Sequence, residues 1–263
     1  MKHKILTHLP GDFPWQVHWY NSTASTNTLA KEMAAKGAPH GTTIIAGHQT
    51  GGRGRMGRSF SSPEGMGLYL SMILRPNCLA RELMHLTCAA GLAACDAVAR
   101  TTGFRPGIKW INDLIAQGKK LGGILTEMSV DPKTALVDYA IVGIGINCLQ
   151  EQKDFPTELQ EIAISLKTVT DNEIEIPLLA ANLILSLQEM DRSLLDRHTT
   201  MDRYRKDCVT LGREIAVISA SDTRYGVAAD IDTEGALIVN FCDGTTESVN
   251  SGEVSVRGLM GYL

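Results

Sequence analysis

A glycine- and arginine-rich segment at residues 51–58, GGRGRMGR, has the residue types best suited to binding a charged ligand. Its four glycines raise the entropic cost of ordering the segment, and its three arginines repel one another. An anionic ligand would offset both costs, because glycines let backbone N–H groups approach phosphate oxygens and guanidinium groups donate forked hydrogen bonds. No Lys-Ser/Thr pair follows, so the segment is not a P-loop. A solvated hairpin tip or a nucleic-acid-binding Arg-Gly patch remains an alternative at this point.

Further polar residues gather at the ends of apolar, strand-like segments. Residues 109–113, KWIND, are followed closely by residues 119–123, KKLGG. Side chains at the end of one strand and the start of the next can face one edge of a sheet, where a lysine can balance phosphate or carboxylate charge and an aspartate can orient an amine. Alone, this pattern is more typical of a hairpin with surface lysines. Residues 143–147, GIGIN, and 25–27, STN, are weaker signals, typical of close strand packing and of a helix cap.

Hydrophobic periodicity predicts the elements that would position these segments. Apolar runs or period-two alternation predict strands at 42–47, 67–74, 107–113, 120–130 and 139–147. Helical spacing predicts helices over 24–36, 79–102 and 177–197. Ser25 or Thr26 is the expected cap of the first helix, and Thr199 to Asp202 form a capping box that would begin another short helix.

The sequence pattern changes from about residue 211. Five short strands follow at close spacing, and the Glu-Gly pair at 234–235 and the Asp-Gly pair at 243–244 fit hairpin turns. This pattern is typical of a small β-barrel. We therefore expect two domains, residues 1–210 and residues 211–263.

Composition excludes several classes of protein. The net charge of −4 disfavours general electrostatic binding to duplex nucleic acid. The six cysteines are scattered without zinc spacing, which predicts a reducing compartment and no metal site. The first residues have no apolar core typical of a signal peptide, and no uncharged apolar run reaches the roughly 18 residues that span a bilayer. We expect a soluble, cytoplasmic protein that binds neither DNA nor membrane.

Taken together and in this order, STN, QTGGRGRMGR, KWIND, KKLGGILTE and GIGIN resemble the motifs of the biotin protein ligases. The resemblance runs over most of residues 20–150, and the ending SGEVSVRG is also similar to that family. It implies an α+β fold, with a mixed β-sheet and helices of the class II aminoacyl-tRNA synthetase type and a C-terminal Src-homology-3-like barrel. The implied activity uses ATP and Mg²⁺ to convert biotin to biotinyl-5′-AMP. Biotin then passes to one lysine of a biotin carboxyl carrier protein, such as that of acetyl-CoA carboxylase.

The resemblance also implies roles for individual residues. The biotin-binding set is Ser25, Thr26, Asn27, Gln49, Arg53, Gly54, Arg55, Lys120, Gly122 and Gly123. The nucleotide-binding set is Arg53, Arg55, Arg58, Asn112 and Asn147, and the catalytic set is Lys120, Arg55, Asp113 and Lys109. Arg53 and Arg55 would hold the carboxylate and the α-phosphate, Lys120 would stabilise charge where they react, and Asp113, assisted by Lys109, would orient the carrier lysine. Gly122, Gly123, Gly143 and Gly145 would leave room for the ligand.

Two residues depart from the family pattern: Ile111 replaces the usual proline of KWPND, and Met56 replaces an arginine of GRGRRGR. Some family members also carry an N-terminal DNA-binding domain and repress transcription. The ligase motifs here begin by residue 25, so a form without that domain is expected. A lipoate or octanoate ligase on the same fold, a nucleic-acid-binding module and an inactive scaffold are the alternatives. Whether the protein is a monomer or a homodimer is left open.

Overall fold

Two β-sheets organise the chain in a computed structural model, which describes residues 1–219, 222–250 and 255–258. The larger sheet has seven strands in the order β1-β2-β3-β7-β6-β5-β4. Strands β1 and β2 are parallel and every other neighbouring pair is antiparallel, so the sheet is mixed as expected. The strands are β1 Val17–Tyr20, β2 Thr43–Ala46, β3 Gly67–Leu74, β4 Gly107–Lys109, β5 Asp113–Ala116, β6 Lys119–Val130 and β7 Val137–Asn147.

Helices cover the two faces of this sheet unequally. On one face α3 and α5 pack against each other and the strands, and Leu70 and Met72 of β3 enter the main core there. On the other face α2 forms a small cluster in which its Ala30 packs with Ile73 of β3. A single helix leaves part of this second face uncovered, which makes space for a cleft. The helices are α1 Lys2–Leu6, α2 Thr26–Ala35, α3 Leu86–Thr102, α4 Leu166–Val169, α5 Ile176–Arg192 and α6 Arg197–Asp207.

The smaller sheet lies at the C-terminal end of the described chain. Its order is β11-β10-β9-β8-β12, and all neighbouring pairs are antiparallel, consistent with the expected Src-homology-3-like fold. Gly235 and Gly244 form the predicted hairpin turns with φ of 88° and 87°, a region that favours glycine. Residues 251–254 and 259–263, which include part of SGEVSVRG, lie outside the described residues. The strands are β8 Glu214–Ile218, β9 Thr223–Ile231, β10 Leu237–Phe241, β11 Thr246–Val249 and β12 Ser255–Gly258.

The helix predicted over 79–102 divides into a 3₁₀ turn at Ala80–Leu83 and helix α3. Its predicted end is confirmed, since Gly103 follows α3 with φ of 76°. The stretch Ala80–Thr102 is the one helical segment among the described residues long and apolar enough to cross a membrane, and 72% of its apolar window is buried inside the protein. It is therefore a core helix of this fold.

The helix predicted over 177–197 is shorter than expected. Helix α5 ends at Arg192, and the short helix predicted after it is α6, which begins at Arg197. The predicted capping box starting at Thr199 is wrong, because the Asp196 carboxylate caps α6 three residues earlier by accepting from the Thr199 N–H at 3.2 Å. A carboxylate at this position also complements the positive end of the helix dipole.

Candidate active site

A cleft of about 830 Å³ lies over the uncovered part of the larger sheet, on the face that carries α2. It brings together residues from α2, the loop after β2, the β4–β5 turn, β6 and β7. Most of the residues singled out from the sequence line it: Ser25, Thr26, Asn27, Gln49, Arg53, Gly54, Arg55, Arg58, Lys109, Asn112, Asp113, Lys120 and Gly123. Their convergence from positions almost one hundred residues apart depends on the strand order β3-β7-β6.

Gln49 caps helix α2 at one end of the cleft. Its Oε1 accepts hydrogen bonds from the Thr26 N–H at 2.8 Å and the Thr26 hydroxyl at 3.1 Å, and its Nε2 donates to Ser62 Oγ at 2.8 Å. Ser25 occupies the cap position but makes no capping hydrogen bond with its side chain. The expected local cap is therefore wrong, because an amide from a distant loop satisfies the free helix N–H instead.

Asn27 is a buried polar side chain with three hydrogen bonds at this end of the cleft. Its Nδ2 donates to the Leu125 carbonyl at 3.1 Å and to Glu127 Oε2 at 3.0 Å, and its Oδ1 accepts from Ser71 Oγ at 2.6 Å. These partners determine which way round the amide lies. A Cβ atom on Gly143 would overlap the Asn27 amide, so that glycine makes room for a protein side chain.

The opposite end of the cleft holds a chain of charged and polar groups. Lys120 Nζ donates to Asp113 Oδ1 at 2.6 Å, and Asn112 Nδ2 donates to the same oxygen at 3.2 Å. Arg55 Nη1 in turn donates to Asn112 Oδ1 at 3.0 Å. Lys109 lies directly opposite Asp113 in the β4–β5 register. The cations Arg55 and Lys120 are thus held near the Asp113 carboxylate, an arrangement that suits a ligand carrying additional negative charge.

Burial lowers the pKa of the Arg55 guanidinium below its usual value, while the charge of Asp113 acts to raise that pKa and the charge of Arg58 to lower it. Arginine is the most basic of the side chains and stays protonated in proteins, so Arg55 keeps its charge at neutral pH. Desolvating a cation is costly unless an anion approaches it. The charge of Arg55 is therefore best stabilised when an anionic ligand lies in the cleft.

Gly122 and Asn147 do not line the cleft. A Cβ on Gly122 would lie 2.5 Å from the Gly145 carbonyl oxygen, so this glycine permits close strand packing. Asn147 is buried and donates to the Ile164 carbonyl at 3.1 Å, which ties the end of β7 to a later loop. Gly145 does line the cleft, but the space beside it holds the ring of Phe60.

Several residues of the site were not assigned roles from the sequence. Glu127, a partner of Asn27, follows Gly123 and Leu125 at period-two spacing in β6, and that spacing is the signal that places all three on one face. Glu127 itself lies behind Asn27, whereas Glu161 and Ile162 line the cleft, from a loop without a motif.

The smaller sheet contacts this site directly. Trp110, within the KWIND segment, is 5% exposed and its indole N–H donates to the Gly235 carbonyl at 2.9 Å. Its backbone N–H donates to Thr210 Oγ1 at 2.9 Å, and the Tyr204 hydroxyl donates to the Ile111 carbonyl at 3.1 Å. Val256 of β12 lines the cleft itself. The turn that carries Asn112 and Asp113 is thus held by the smaller sheet through Gly235 and by α6 through Tyr204.

The described residues contain no group of three or more His, Cys, Asp or Glu side chains placed to hold a metal ion. Mg²⁺ commonly binds through substrate phosphates and water with only one or two protein carboxylates. The cationic donor set of this cleft therefore suits a phosphate ligand, and any Mg²⁺ would enter as the complex with that ligand.

Comparison with known proteins identifies the family. Residues 19–147 match the biotin/lipoate A/B protein ligase family, and residues 210–257 match the biotin protein ligase C-terminal domain. The bifunctional ligase/repressor BirA of Bacillus subtilis is 34% identical over 228 residues, covering 86% of this chain and 70% of that protein. The biotin–[acetyl-CoA-carboxylase] ligase of Mycobacterium tuberculosis is 31% identical over 242 residues, covering 88% of this chain and 85% of that one.

Solved structures agree. The biotin protein ligase of Aquifex aeolicus, determined in complex with biotin and ATP, superposes with a TM-score of 0.78 at 27% identity, covering 92% of this chain and 99% of that one. The likeness thus extends across the larger sheet with its cleft and the smaller sheet that contacts it. By sequence, fold and the make-up of its cleft, the chain belongs to the biotin protein ligase family.

Proposed function

We propose that the cleft activates biotin with MgATP as biotinyl-5′-AMP and then transfers biotin to a lysine of a carrier protein. The single observation that carries the proposal is the chain Arg55–Asn112–Asp113–Lys120, which places two cations at one end of a cleft whose other end presents the neutral side chains of Ser25, Thr26, Asn27 and Gln49. A neutral ureido ring joined by an apolar tail to a carboxylate is complementary to both ends.

In the first step a biotin carboxylate oxygen forms a bond to the α-phosphorus of ATP, and the bond from that phosphorus to the bridging oxygen breaks to release pyrophosphate. Two anions must approach one another, so the step needs fixed positive charge. Arg55 and Lys120 are the residues proposed to supply it, with Arg58 meeting the outer phosphates. Mg²⁺ enters with ATP as part of the substrate.

In the second step the carrier lysine amine attacks the carbonyl carbon of the mixed anhydride, and the carbon–oxygen bond to AMP breaks. The lysine must first lose a proton, although its ordinary pKa is about 10.4. Asp113 is the carboxylate proposed to orient the incoming ammonium group, with Lys109 assisting. Because Asp113 is bonded to Lys120, one carboxylate serves both half-reactions.

Ser25, Thr26, Asn27 and Gln49 are proposed to recognise the ureido ring. Thr26 and Gln49 are already bonded to each other and Asn27 to Ser71, so their donors and acceptors are held in fixed directions before a ligand arrives. Fixed polar groups discriminate strongly against a ligand that leaves them unpaired. Lipoate and octanoate lack a ureido ring, so they would leave the remaining donor and acceptor capacity of these groups unused.

The proposed carrier is the biotin carboxyl carrier of acetyl-CoA carboxylase, supported by the name of the Mycobacterium tuberculosis relative. The proposed domains are residues 1–210 and 211–263, supported by the separation of the two sheets, although residues 259–263 lie outside the described part. A cytoplasmic location is proposed from the scattered, free cysteines, which suit a reducing compartment.

The test is ATP–pyrophosphate exchange by the purified protein with Mg²⁺ and biotin, with lipoate and octanoate as controls. Exchange that depends on biotin alone is the expected result. Exchange with lipoate or octanoate instead would overturn the assignment of Gln49 and residues 25–27. Absence of exchange with all three acids, from folded protein, would overturn the proposed activity.

A further inference from the structure

The structure separates the two arginines that the sequence groups together. Arg55 reaches Asn112 at the charged end of the cleft, as described above. Arg53, two residues earlier, instead lies with its Nη1 at 3.5 Å from Glu127 Oε1. Glu127 belongs to the opposite end, where its other oxygen accepts from Asn27. The two guanidinium groups of one loop therefore serve different parts of the site.

Glu127 joins three elements through one carboxylate. Its Oε1 lies 3.0 Å from Lys31 Nζ of α2 and 3.5 Å from Arg53 of the loop, and its Oε2 bonds Asn27 of α2, while its own backbone lies in β6. Burial raises the pKa of this carboxyl, but hydrogen bonds from Asn27 and Lys31 and the charge of Arg53 outweigh burial, so its pKa lies below the usual range. Glu127 is therefore ionised at neutral pH.

We propose that Glu127 is a positioning residue, which fastens the loop of residues 51–58 over the Asn27 end of the cleft through Arg53 and holds the Asn27 amide in one orientation. This inference rests on the proposed function, since it assigns the Asn27 end to the ring of biotin. The charge of Arg53 is matched by Glu127. Arg55 and Lys120 are therefore the residues that bind the reacting carboxylate and phosphate.

Glu127→Gln is the sharpest perturbation, because glutamine keeps the shape of the side chain and removes its charge. One end of the glutamine amide must be an NH₂ group, which faces either the Asn27 amide nitrogen or the two cations, so at least one contact becomes unfavourable. Arg53 is 47% exposed, so solvent screens the pair. The expected rise in KM for biotin is about two- to fivefold, with KM for ATP and kcat of pyrophosphate exchange unchanged.

The experiment is a double-mutant cycle in pyrophosphate exchange with Arg53→Met, Glu127→Gln and the combined variant. We expect each single change to raise KM for biotin and the combined change to add little, because the second substitution removes a partner already lost. Arg53→Lys, which keeps the charge, is expected to recover part of the loss. Arg55→Met is the matched control and is expected to lower kcat instead.

Additive effects of the two changes, or an Arg53→Met variant that lowers kcat as Arg55→Met does, would overturn the inference. Amide hydrogen exchange across residues 51–58 provides a readout independent of activity. Exchange in that loop is expected to accelerate in Glu127→Gln relative to the wild type, and equal rates would also overturn the inference. If the wild-type protein shows no biotin-dependent pyrophosphate exchange, the proposed function fails. The rates of amide hydrogen exchange still decide whether Glu127 fastens the loop.

Discussion

Replacing Trp110 by phenylalanine tests whether the C-terminal strands support the catalytic turn. Phenylalanine keeps an aromatic ring but removes the indole N–H that donates to the Gly235 carbonyl at 2.9 Å. Trp110 is 5% exposed, so water cannot readily replace the lost donor. The turn that contains Gly235 is packed closely against α3, since a Cβ added at Gly235 would lie 3.0 Å from Cys88 Sγ. The turn therefore has little freedom to move toward a new partner.

The expected loss of stability has two parts, the lost hydrogen bond and the smaller side chain. Leaving a buried carbonyl without its donor costs about 1–3 kcal/mol. The smaller ring removes buried apolar atoms and leaves a partial cavity, which costs about 1–2 kcal/mol more. Together they give a loss in the free energy of unfolding of about 2–5 kcal/mol, equivalent for a chain of this size to a fall in Tm of roughly 5–15 °C.

The functional consequence is larger than the loss of stability alone would give. Trp110 lies between Lys109 and the Asn112–Asp113 pair, so a looser turn displaces groups proposed to act at the reacting centre. Such displacements commonly reduce rates by tens of times or more, and we expect kcat of biotin-dependent pyrophosphate exchange, measured well below Tm, to fall at least about tenfold.

The assay pairs thermal unfolding with pyrophosphate exchange, and Trp19→Phe is the matched control. The Trp19 indole donates to Asn21 Oδ1 at 3.0 Å, near the solvent and in β1, away from the C-terminal strands. Trp19→Phe is expected to lower the free energy of unfolding by less than about 1 kcal/mol and to leave the rate of pyrophosphate exchange unchanged. If Trp110→Phe behaves like Trp19→Phe in both measurements, the C-terminal strands do not position the catalytic turn.

Four further predictions follow from the site and the core. Lys120→Ala is expected to slow biotin-dependent pyrophosphate exchange by about 10²–10³-fold, since one preorganised charge contact contributes about 3–4 kcal/mol; near-normal exchange would remove Lys120 from the catalytic set. Asp113→Asn is expected to slow transfer of biotin from preformed adenylate to the carrier more than it slows adenylate formation, and equal losses in the two separately measured half-reactions would contradict its proposed role. Amide exchange across residues 51–58 is expected to slow when biotin and ATP bind, and unchanged exchange would argue against closure of the loop over the ligand. Burial holds the pKa of His85 below its ordinary value of about 6.5 despite its bond to the Leu194 carbonyl, so the unfolded chain binds more protons there and stability should fall as the pH drops below that value. Denaturant titrations at several pH values should show a smaller pH dependence in His85→Gln, and an unchanged dependence would exclude His85 as its source.

The local patterns of the sequence predicted those elements whose signals are local. Strand β3 and the hairpin turns at Gly235 and Gly244 were confirmed. The turns depend on a local positive φ, and the period-two pattern of β3 on the alternation of side chains between the two faces of the sheet, both of which are buried here. The caps of α2 and α6 were predicted wrongly for different reasons. The acceptor at the start of α2 is Gln49, which only the packing of a distant loop brings to the helix, whereas Asp196 is a local cap three residues before the Thr199 N–H from which it accepts.

The order of the motifs along the chain was sufficient to identify the family, because the motif residues belong to strand ends and loops that converge on one cleft. It could not show how the charges in that cleft are paired. Arg53 and Arg55 are nearly adjacent in sequence, yet one lies against Glu127 and the other against Asn112. Those pairings depend on which strands are neighbours and on which side chains are left within hydrogen-bonding distance once the core has packed.

The sequence by itself thus determined the chemistry available to the protein: cations, neutral amides and hydroxyls, and one carboxylate beside a lysine-rich hairpin. Only the tertiary structure decided how that chemistry is divided between the two ends of the cleft and how the smaller sheet supports it through Trp110. The physical reason is that a side chain carries its charge and its donors wherever it lies, whereas its partners are chosen by the packing of strands and helices far apart in the chain.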